Sequence, residues 1–251
     1  MGKLDTVLEK VSQGYYGQEI HYEIPVAIHS TDSGIIIIHS PGAGERPRDD
    51  GRKGRWDILG EYIQQQGLGA FLSYNHPAPD AHNKFPEEVY SYMDTSWSQL
   101  VVESLIHIIN YSLEHSQEIC GSSTPAICLS GFSAGGSASA AVAHLYPEVR
   151  QILLLSTYDS VGEYFYSGVR QFTGEIYMAY GEQDLMAAFL AYTMRFIAPS
   201  ASMVHVREIP DCNHGFQGDT NNRILSKAFS WAFAGDSNFP SPEGGILLSE
   251  E

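Results

Sequence analysis

Short apolar runs alternate with longer amphipathic segments along most of the chain. The first run, residues 34–39, is β-branched and apolar on both faces, as a central parallel strand must be. Buried strands are predicted for residues 34–39, 69–74, 126–129, 150–156, 175–180 and 202–209. Helices are predicted for residues 56–66, 93–115, 134–146, 187–196 and 224–233. This alternation predicts an α/β fold with a mostly parallel sheet covered by helices on both faces.

The two ends of the chain depart from this alternation. Residues 19–29 alternate between polar and apolar, which predicts one or two antiparallel edge strands. Residues 235–251 contain Pro240, Pro242 and a pair of glycines, and we expect a flexible tail there. A chain of 251 residues without a repeat or linker suits one undivided α/β domain, residues 1–251.

The junction at Ser133 carries the strongest chemical signal. Residues 131–135 read Gly-Phe-Ser-Ala-Gly between a predicted strand and a helix rich in small residues. A sharp strand-to-helix turn with serine at its apex is a nucleophile elbow, which lifts the hydroxyl clear of the sheet. Glycines flank such a serine because a Cβ would collide where the strand and the helix approach each other.

A serine hydroxyl needs a base, and the base needs an acid to orient it. His214 follows the last predicted strand, at the carboxyl edge where open α/β sheets place their ligand sites. Asp184 follows the preceding strand, so the chain order is Ser, Asp, His, as in α/β-hydrolases. Asp159 is the alternative acid, in which case Asp184 would only cap the helix after it, since one side chain would hardly do both.

Backbone N–H groups are expected to stabilise an oxyanion at this edge. Ala134 follows the nucleophile at a helix N-terminus and supplies one donor. The second donor comes from the loop His-Ser-Pro-Gly-Ala-Gly at residues 39–44. Pro41 has no N–H, so either Gly42 or Ala43 is the donor.

These segments together resemble the α/β-hydrolase superfamily from about residue 19 to residue 233. Lidless serine esterases and dienelactone-hydrolase-like members are the most similar in size. Two features differ: the loop reads His-Ser-Pro-Gly instead of His-Gly-Gly-Gly, and the nucleophile is Ser133 where dienelactone hydrolases carry cysteine. Only about twenty residues separate the strands ending near 156 and starting near 175, which predicts little or no lid.

Charge and cysteine content exclude several classes of partner. The formal net charge is −16, so nucleic acid and anionic membranes would be repelled. No apolar window is long enough to span a bilayer, and the first residues lack the apolar core of a signal peptide. Cys120, Cys128 and Cys212 are odd in number and lack metal-ligand spacing, so we expect reduced thiols and a cytoplasmic protein.

Substrate contacts are less defined by the sequence. Residues 46–55 hold five of the chain's 14 basic residues, so Arg48, Arg52 and Arg55 are candidates for binding an anionic group, although a solvated loop is the simpler interpretation. Aromatic side chains that could line a pocket are Tyr74, Trp97, Tyr158 and Phe216. His76, Asp80 and His82 lack regular ligand spacing, so no metal site is expected.

The activity expected from the sequence is hydrolysis of a carboxylic ester of a small or medium-sized soluble molecule. It proceeds through an acyl-serine and requires neither a metal nor an organic cofactor. The same three residues would also serve a thioesterase, an acyltransferase or a peptidase. A non-catalytic protein that binds a small molecule on this fold is a further alternative. The sequence leaves the oligomeric state open.

Overall fold

The structure, a computed structural model, describes residues 2–13, 19–43, 48–49, 52–76 and 93–248. For residues 20, 48–49, 52–53 and 93–96 it describes the backbone alone. In chain order the elements are β1 (Lys3–Gln13), β2 (Glu19–His29), β3 (Ile35–Ser40), β4 (Arg48–Asp49), β5 (Arg52–Lys53), α1 (Arg55–Gln65), β6 (Ala70–Tyr74), α2 (Met93–Glu114), α3 (Ser116–Cys120), β7 (Ala126–Phe132), α4 (Ala134–Val142), β8 (Val149–Leu155), α5 (Glu163–Gln171), β9 (Glu175–Gly181), α6 (Leu185–Ile197), β10 (Met203–Ile209) and α7 (Asp219–Ala234).

Eight of these strands form one sheet in the order β1-β2-β6-β3-β7-β8-β9-β10. The strands from β6 to β10 in this order run parallel, and β1 and β2 join antiparallel at one edge. One face packs against α2, α4, α5 and α6, and the other packs against α1 and α7. The predicted α/β architecture, with helices on both faces, is therefore confirmed.

The sequence pattern missed β1, which pairs with β2 along its whole length from Lys3 to Gln13. From Thr6 to Ser12, partly or fully buried residues alternate with exposed ones, so one face of β1 packs against the domain and the other is open to solvent. Leu4, Val7 and Val11 are accordingly exposed. Its mixture of charged and apolar residues therefore resembles a surface segment and lacks the apolar signature of the central strands.

The segment after α7 differs from the flexible tail that we expected. Phe239 and Leu248 are buried against α1 and α7. Tyr62 donates to the carbonyl of Gly244 at 3.0 Å, and Arg223 donates to that of Gly245 at 2.8 Å. The prolines and glycines make turns that direct Phe239 and Leu248 back against α1 and α7. Residues 236–248 are therefore packed against the domain.

The connection between β8 and β9 contains α5, a short helix that the sequence pattern did not predict. Phe165 and Val169 on this helix are fully buried against the rest of the fold. This nine-residue helix is the only helix between the two strands, and all residues of this connection are described. Among the described helices, none combines the length and apolar composition that a membrane span requires.

Candidate active site

The parallel strands bring three separate chain segments to the carboxyl edge of the sheet. Ser133 directly follows β7, Asp184 follows β9 by three residues, and His214 follows β10 by five. The loop 40–43 leaves β3, the neighbour of β7, at the same edge. Residues that are 30 and 81 positions apart in the sequence therefore meet at one place.

Ser133 occupies a strained turn between β7 and α4. Its φ is 54° and its ψ is −117°, a conformation that non-glycine residues rarely adopt. A Cβ on Gly131 would lie 2.3 Å from the backbone of Gly135, and a Cβ on Gly135 would lie 1.9 Å from the carbonyl oxygen of Ser40. Only glycine fits at these two positions, so they hold the strand, the helix and the β3 loop in close contact.

A continuous chain of hydrogen bonds joins the three side chains. His214 Nδ1 donates to Asp184 Oδ2 at 2.6 Å, because an ionised carboxylate can only accept. The other ring nitrogen, Nε2, is then free of its proton and accepts from the Ser133 hydroxyl at 3.1 Å. Asp184 is buried, whereas the His214 side chain is 44% exposed. The imidazole is thus accessible to solvent on one side and fixed by the carboxylate on the other.

Asp184 is at once the histidine partner and the N-cap of α6. Its Oδ1 accepts from the backbone N–H of Ala187 at 3.2 Å, while Oδ2 accepts from His214. The sequence argument treated these roles as exclusive and was wrong on that point, because a carboxylate has two oxygens that point in different directions. The cap bond fixes the side chain and so orients the oxygen that His214 meets.

Asp159, the alternative acid, has a different partner. Its Oδ2 accepts from the hydroxyl of Tyr166 on α5 at 2.6 Å. The structure therefore favours Asp184 over Asp159 as the carboxylate that orients His214.

The β3 loop lies against the N-terminus of α4, beside the buried Ala134. Gly42 is buried and Ala43 is exposed. The described contacts do not decide between these two residues as the second backbone donor. Both remain candidates.

A buried histidine holds this loop, a contact that the sequence pattern did not indicate. His76 Nε2 donates to the carbonyl oxygen of Pro41 at 2.7 Å, and Ser40 Oγ lies 2.8 Å from the Tyr74 hydroxyl. Burial lowers the pKa of His76 to about 4, so the ring is neutral near pH 7. Because the C=O and N–H of a trans peptide point in opposite directions, the bond to Pro41 also fixes the direction of the Gly42 N–H.

Of the four aromatic residues predicted to line a pocket, one lies beside His214 and three pack in or against the core. Tyr158 is half-buried, and its ring centroid lies 6.2 Å from that of His214, so it remains a candidate for substrate contact. Three others do not fit that prediction. Tyr74 and Phe216 are fully buried, and Trp97 packs against the core on the α2 face. Apolar aromatic surface gains most from burial in the core, so aromatic identity alone did not distinguish pocket from core.

The predicted basic loop is described only in part. The side chains of Arg48 and Arg52 lie outside the described residues. Arg55 stacks its guanidinium over the rings of Trp56 and Phe132, at 4.4 and 4.9 Å from their centroids. It also donates to the carbonyl of Gly215 at 3.2 Å. Arg55 therefore supports the loop that carries His214, a contact between residues 160 positions apart that sequence reasoning missed.

The described histidines, cysteines and carboxylates show neither a metal-binding cluster nor an activated thiol. Among the described residues, no group of three His, Cys, Asp or Glu side chains is arranged to hold a metal ion. The three cysteines are free and buried. Burial raises the pKa of the Cys128 thiol to about 12 and that of Cys212 to about 11, which disfavours the nucleophilic thiolate.

Several solved structures share the fold of this chain. A dienelactone hydrolase from Anabaena variabilis is 17% identical, with a TM-score of 0.65 over 93% of this chain and 98% of its own. An alpha-beta serine hydrolase homologue from Coxiella burnetii is 17% identical, with a TM-score of 0.55 over 83% of this chain and 89% of its own. Est1E from Butyrivibrio proteoclasticus is 11% identical, with a TM-score of 0.59 over 83% of this chain and 92% of its own.

These likenesses show that the chain has the α/β-hydrolase fold, as the sequence motifs predicted. No family model matches the sequence. No curated protein matches it either.

Proposed function

We propose that this protein is a serine hydrolase that cleaves a carboxylic ester through an acyl-serine intermediate. The observation that carries the proposal is the hydrogen-bonded chain from Ser133 through His214 to Asp184. Its serine lies on a strained turn at a helix N-terminus. Solved structures with this fold, named as a dienelactone hydrolase and a serine hydrolase homologue, support the hydrolase class.

In the first step, Ser133 Oγ attacks the ester carbonyl carbon while His214 Nε2 takes the hydroxyl proton. The resulting imidazolium is stabilised by the carboxylate of Asp184, which remains ionised. The tetrahedral oxyanion collapses, the ester C–O bond breaks, and His214 returns the proton to the leaving alkoxide. Water then attacks the acyl-serine with the same proton transfers, which releases the carboxylic acid and restores Ser133.

The oxyanion formed in both steps would accept hydrogen bonds from the N–H of Ala134 and from that of Gly42 or Ala43. The partial positive charge at the N-terminus of α4 adds to this stabilisation. His76 acts as a positioning residue, because its bond to Pro41 fixes the loop on which both candidate donors lie. Donors that are fixed before the reaction need no reorganisation when the negative charge develops.

The substrate that we propose is an ester of a small or medium-sized soluble molecule. His214 is exposed on one side, and the β8–β9 connection holds only a short helix. Tyr158 is placed to contact a group bound beside the imidazole. A role for Arg48 and Arg52 in binding an anionic group remains a prediction.

The test combines turnover of short p-nitrophenyl esters with labelling by a fluorophosphonate. We expect the parent protein to hydrolyse these esters and to be labelled at Ser133. Ser133→Ala should lower kcat/KM by roughly 10³- to 10⁶-fold and abolish labelling, while the fold is retained. Ser123→Ala, at an exposed serine outside the site, is the matched control and should change neither. Labelling of another residue, or equal turnover by the Ser133→Ala variant, would refute the proposal.

A further inference from the structure

The helix α6 has an apolar face that is open to solvent. In the part of the chain that the structure describes, five of the eleven exposed large apolar side chains belong to this helix. Their exposed fractions are high: Leu185 79%, Met186 61%, Phe189 72%, Tyr192 79% and Phe196 79%. We call these five residues the α6 stripe. The opposite face of the helix, with Leu190 and Met194, is buried in the core.

The stripe is too large to be an ordinary surface feature. Covered aromatic side chains bury about 150–250 Å² each, so the stripe exposes roughly 700 Å² of mainly apolar area. The largest apolar patch on a typical monomer is about 300–600 Å². A standard protein–protein interface buries about 800 Å² on each partner, so the stripe has the area of one side of such an interface.

The spacing of the stripe is that of a helix-pairing seam. Leu185, Phe189, Tyr192 and Phe196 follow one another at intervals of four, three and four residues. Such alternating steps of four and three residues are those at which apolar residues line the contact between two packed helices. The surface is thus shaped to receive another helix.

Charge favours a second copy of the chain over a membrane as the occupant. A helix that lies on a lipid surface carries several Lys or Arg residues on its polar face. Arg195 is the only charged residue of α6, and the whole chain has a net charge of −16. Two copies repel each other over most of their surface, but the stripe itself carries no charge. A two-fold axis would place the stripe against itself without requiring any other complementary surface.

We infer that the α6 stripe is a homodimer interface in which the α6 helices of two copies pack against each other. The inference concerns assembly and does not depend on the proposed esterase activity. Phe189 and Tyr192 lie at the centre of the stripe, where side chains are most completely desolvated and contribute most to affinity.

The test measures mass in solution by analytical ultracentrifugation over a concentration series from nanomolar to high micromolar. We expect the parent protein to sediment at twice the mass of the chain. Tyr192→Glu would place two like charges at the seam and should raise the dissociation constant by roughly 100-fold or more. Leu145→Glu, at an exposed leucine outside the stripe, is the matched control and should remain dimeric.

A second pair of variants reports on the interface without a charge change. Phe189→Ser should also weaken the dimer, and circular dichroism with thermal unfolding should show that the variant is folded. The three native cysteines are buried, so Tyr192→Cys introduces an accessible thiol. A short bis-maleimide should cross-link this variant into dimers but should not cross-link Leu145→Cys.

Three results would overturn the inference. The first is a parent protein that stays monomeric at high micromolar concentration. The second is a dimer that Tyr192→Glu and Phe189→Ser leave intact, which would place the interface elsewhere. The third is a monomer that co-sediments with phosphatidylcholine vesicles through the stripe, which would make a lipid surface the occupant.

Discussion

Two histidine–aspartate hydrogen bonds in the described structure join different elements of the fold. At the carboxyl edge, His214 bonds to Asp184 at 2.6 Å. Beside the amino end of β6, His29 at the end of β2 bonds to Asp57 on α1 at 3.0 Å. In each pair, an imidazole N–H donates a hydrogen bond to a buried carboxylate.

The pairs differ in what surrounds the imidazole. His214 is 44% exposed, and its second nitrogen reaches the Ser133 hydroxyl. His29 is completely buried, and a Cβ on Gly60 would lie only 2.4 Å from its ring. Among the described residues, its second nitrogen has no hydrogen-bond partner, and the other oxygen of Asp57 is bound by Lys3. The histidine–aspartate bond is therefore common to both pairs, and two features distinguish the candidate active site: the solvent access of His214 and the Ser133 hydroxyl on its second nitrogen.

The largest expected difference between the two pairs is the effect on turnover of replacing Asp184 or Asp57 by asparagine. Asp184→Asn favours the wrong tautomer of His214, so kcat should fall by about 10⁴-fold. The described partners of Asp57 are His29 and Lys3, not the candidate site residues, so Asp57→Asn should leave kcat near the parent value. The measurement is steady-state turnover of a p-nitrophenyl ester by both variants. A large loss in Asp57→Asn with its fold retained would contradict the distinction.

The same substitution at Asp57 should be costly for stability. It removes the charge that pairs with Lys3 and bonds to the buried His29, and the loss of one partner of a buried pair costs about 3–5 kcal/mol. Lys3 is 26% exposed, so we expect about 3 kcal/mol, the lower end of that range. Urea unfolding at neutral pH measures the difference. Asp32→Asn, at an exposed aspartate, is the control and should change the free energy of unfolding by less than about 0.5 kcal/mol.

The site could be predicted from the sequence because its residues lie next to recognisable strand ends. Ser133 sits in a local motif, and Asp184 and His214 each follow an apolar run that identifies a buried strand. Parallel topology then brings the ends of these strands to one edge. The inference required only the order of the elements, and their boundaries agree with the structure to within a few residues.

The His29–Asp57 pair and the His76–Pro41 contact had no such signal. They join residues 28 and 35 positions apart that lie on no common motif. Each depends on how a particular helix or loop packs against the sheet, which periodicity does not determine. The packed segment 236–248 was missed for the same reason, since its few apolar residues are separated by turns.

Acid should weaken the His29–Asp57 pair by a smaller amount than the Asp57→Asn substitution does. Burial alone would raise the pKa of Asp57, but hydrogen bonds from His29 and Lys3 outweigh it and hold the pKa at about 2. The pKa of Asp57 in the folded state is below its ordinary value of 3.8, so the ionised carboxylate stabilises the fold. The stabilisation is fully present at pH values above 3.8. It is lost as the pH falls from about 4 to about 2, and it amounts to about 2 kcal/mol.

Urea unfolding of the parent and of Asp57→Asn across this acid range checks the prediction. The difference in the free energy of unfolding between the two proteins should shrink as the pH falls. A constant difference down to about pH 2 would mean that Asp57 does not titrate in this window.

The smallest expected effect concerns His76, which is as buried as His29 but bonds to the loop beside the nucleophile. If its bond to Pro41 positions an oxyanion donor, His76→Phe should lower kcat by about tenfold and change KM little, because the donor acts mainly in the transition state. His76→Gln keeps an N–H that can reach the Pro41 carbonyl, so it should recover part of the loss. The thermal midpoints of both variants identify any general destabilisation. Equal kcat losses in the two variants, or a rise in KM alone, would mean that His76 has a purely structural role, as His29 does.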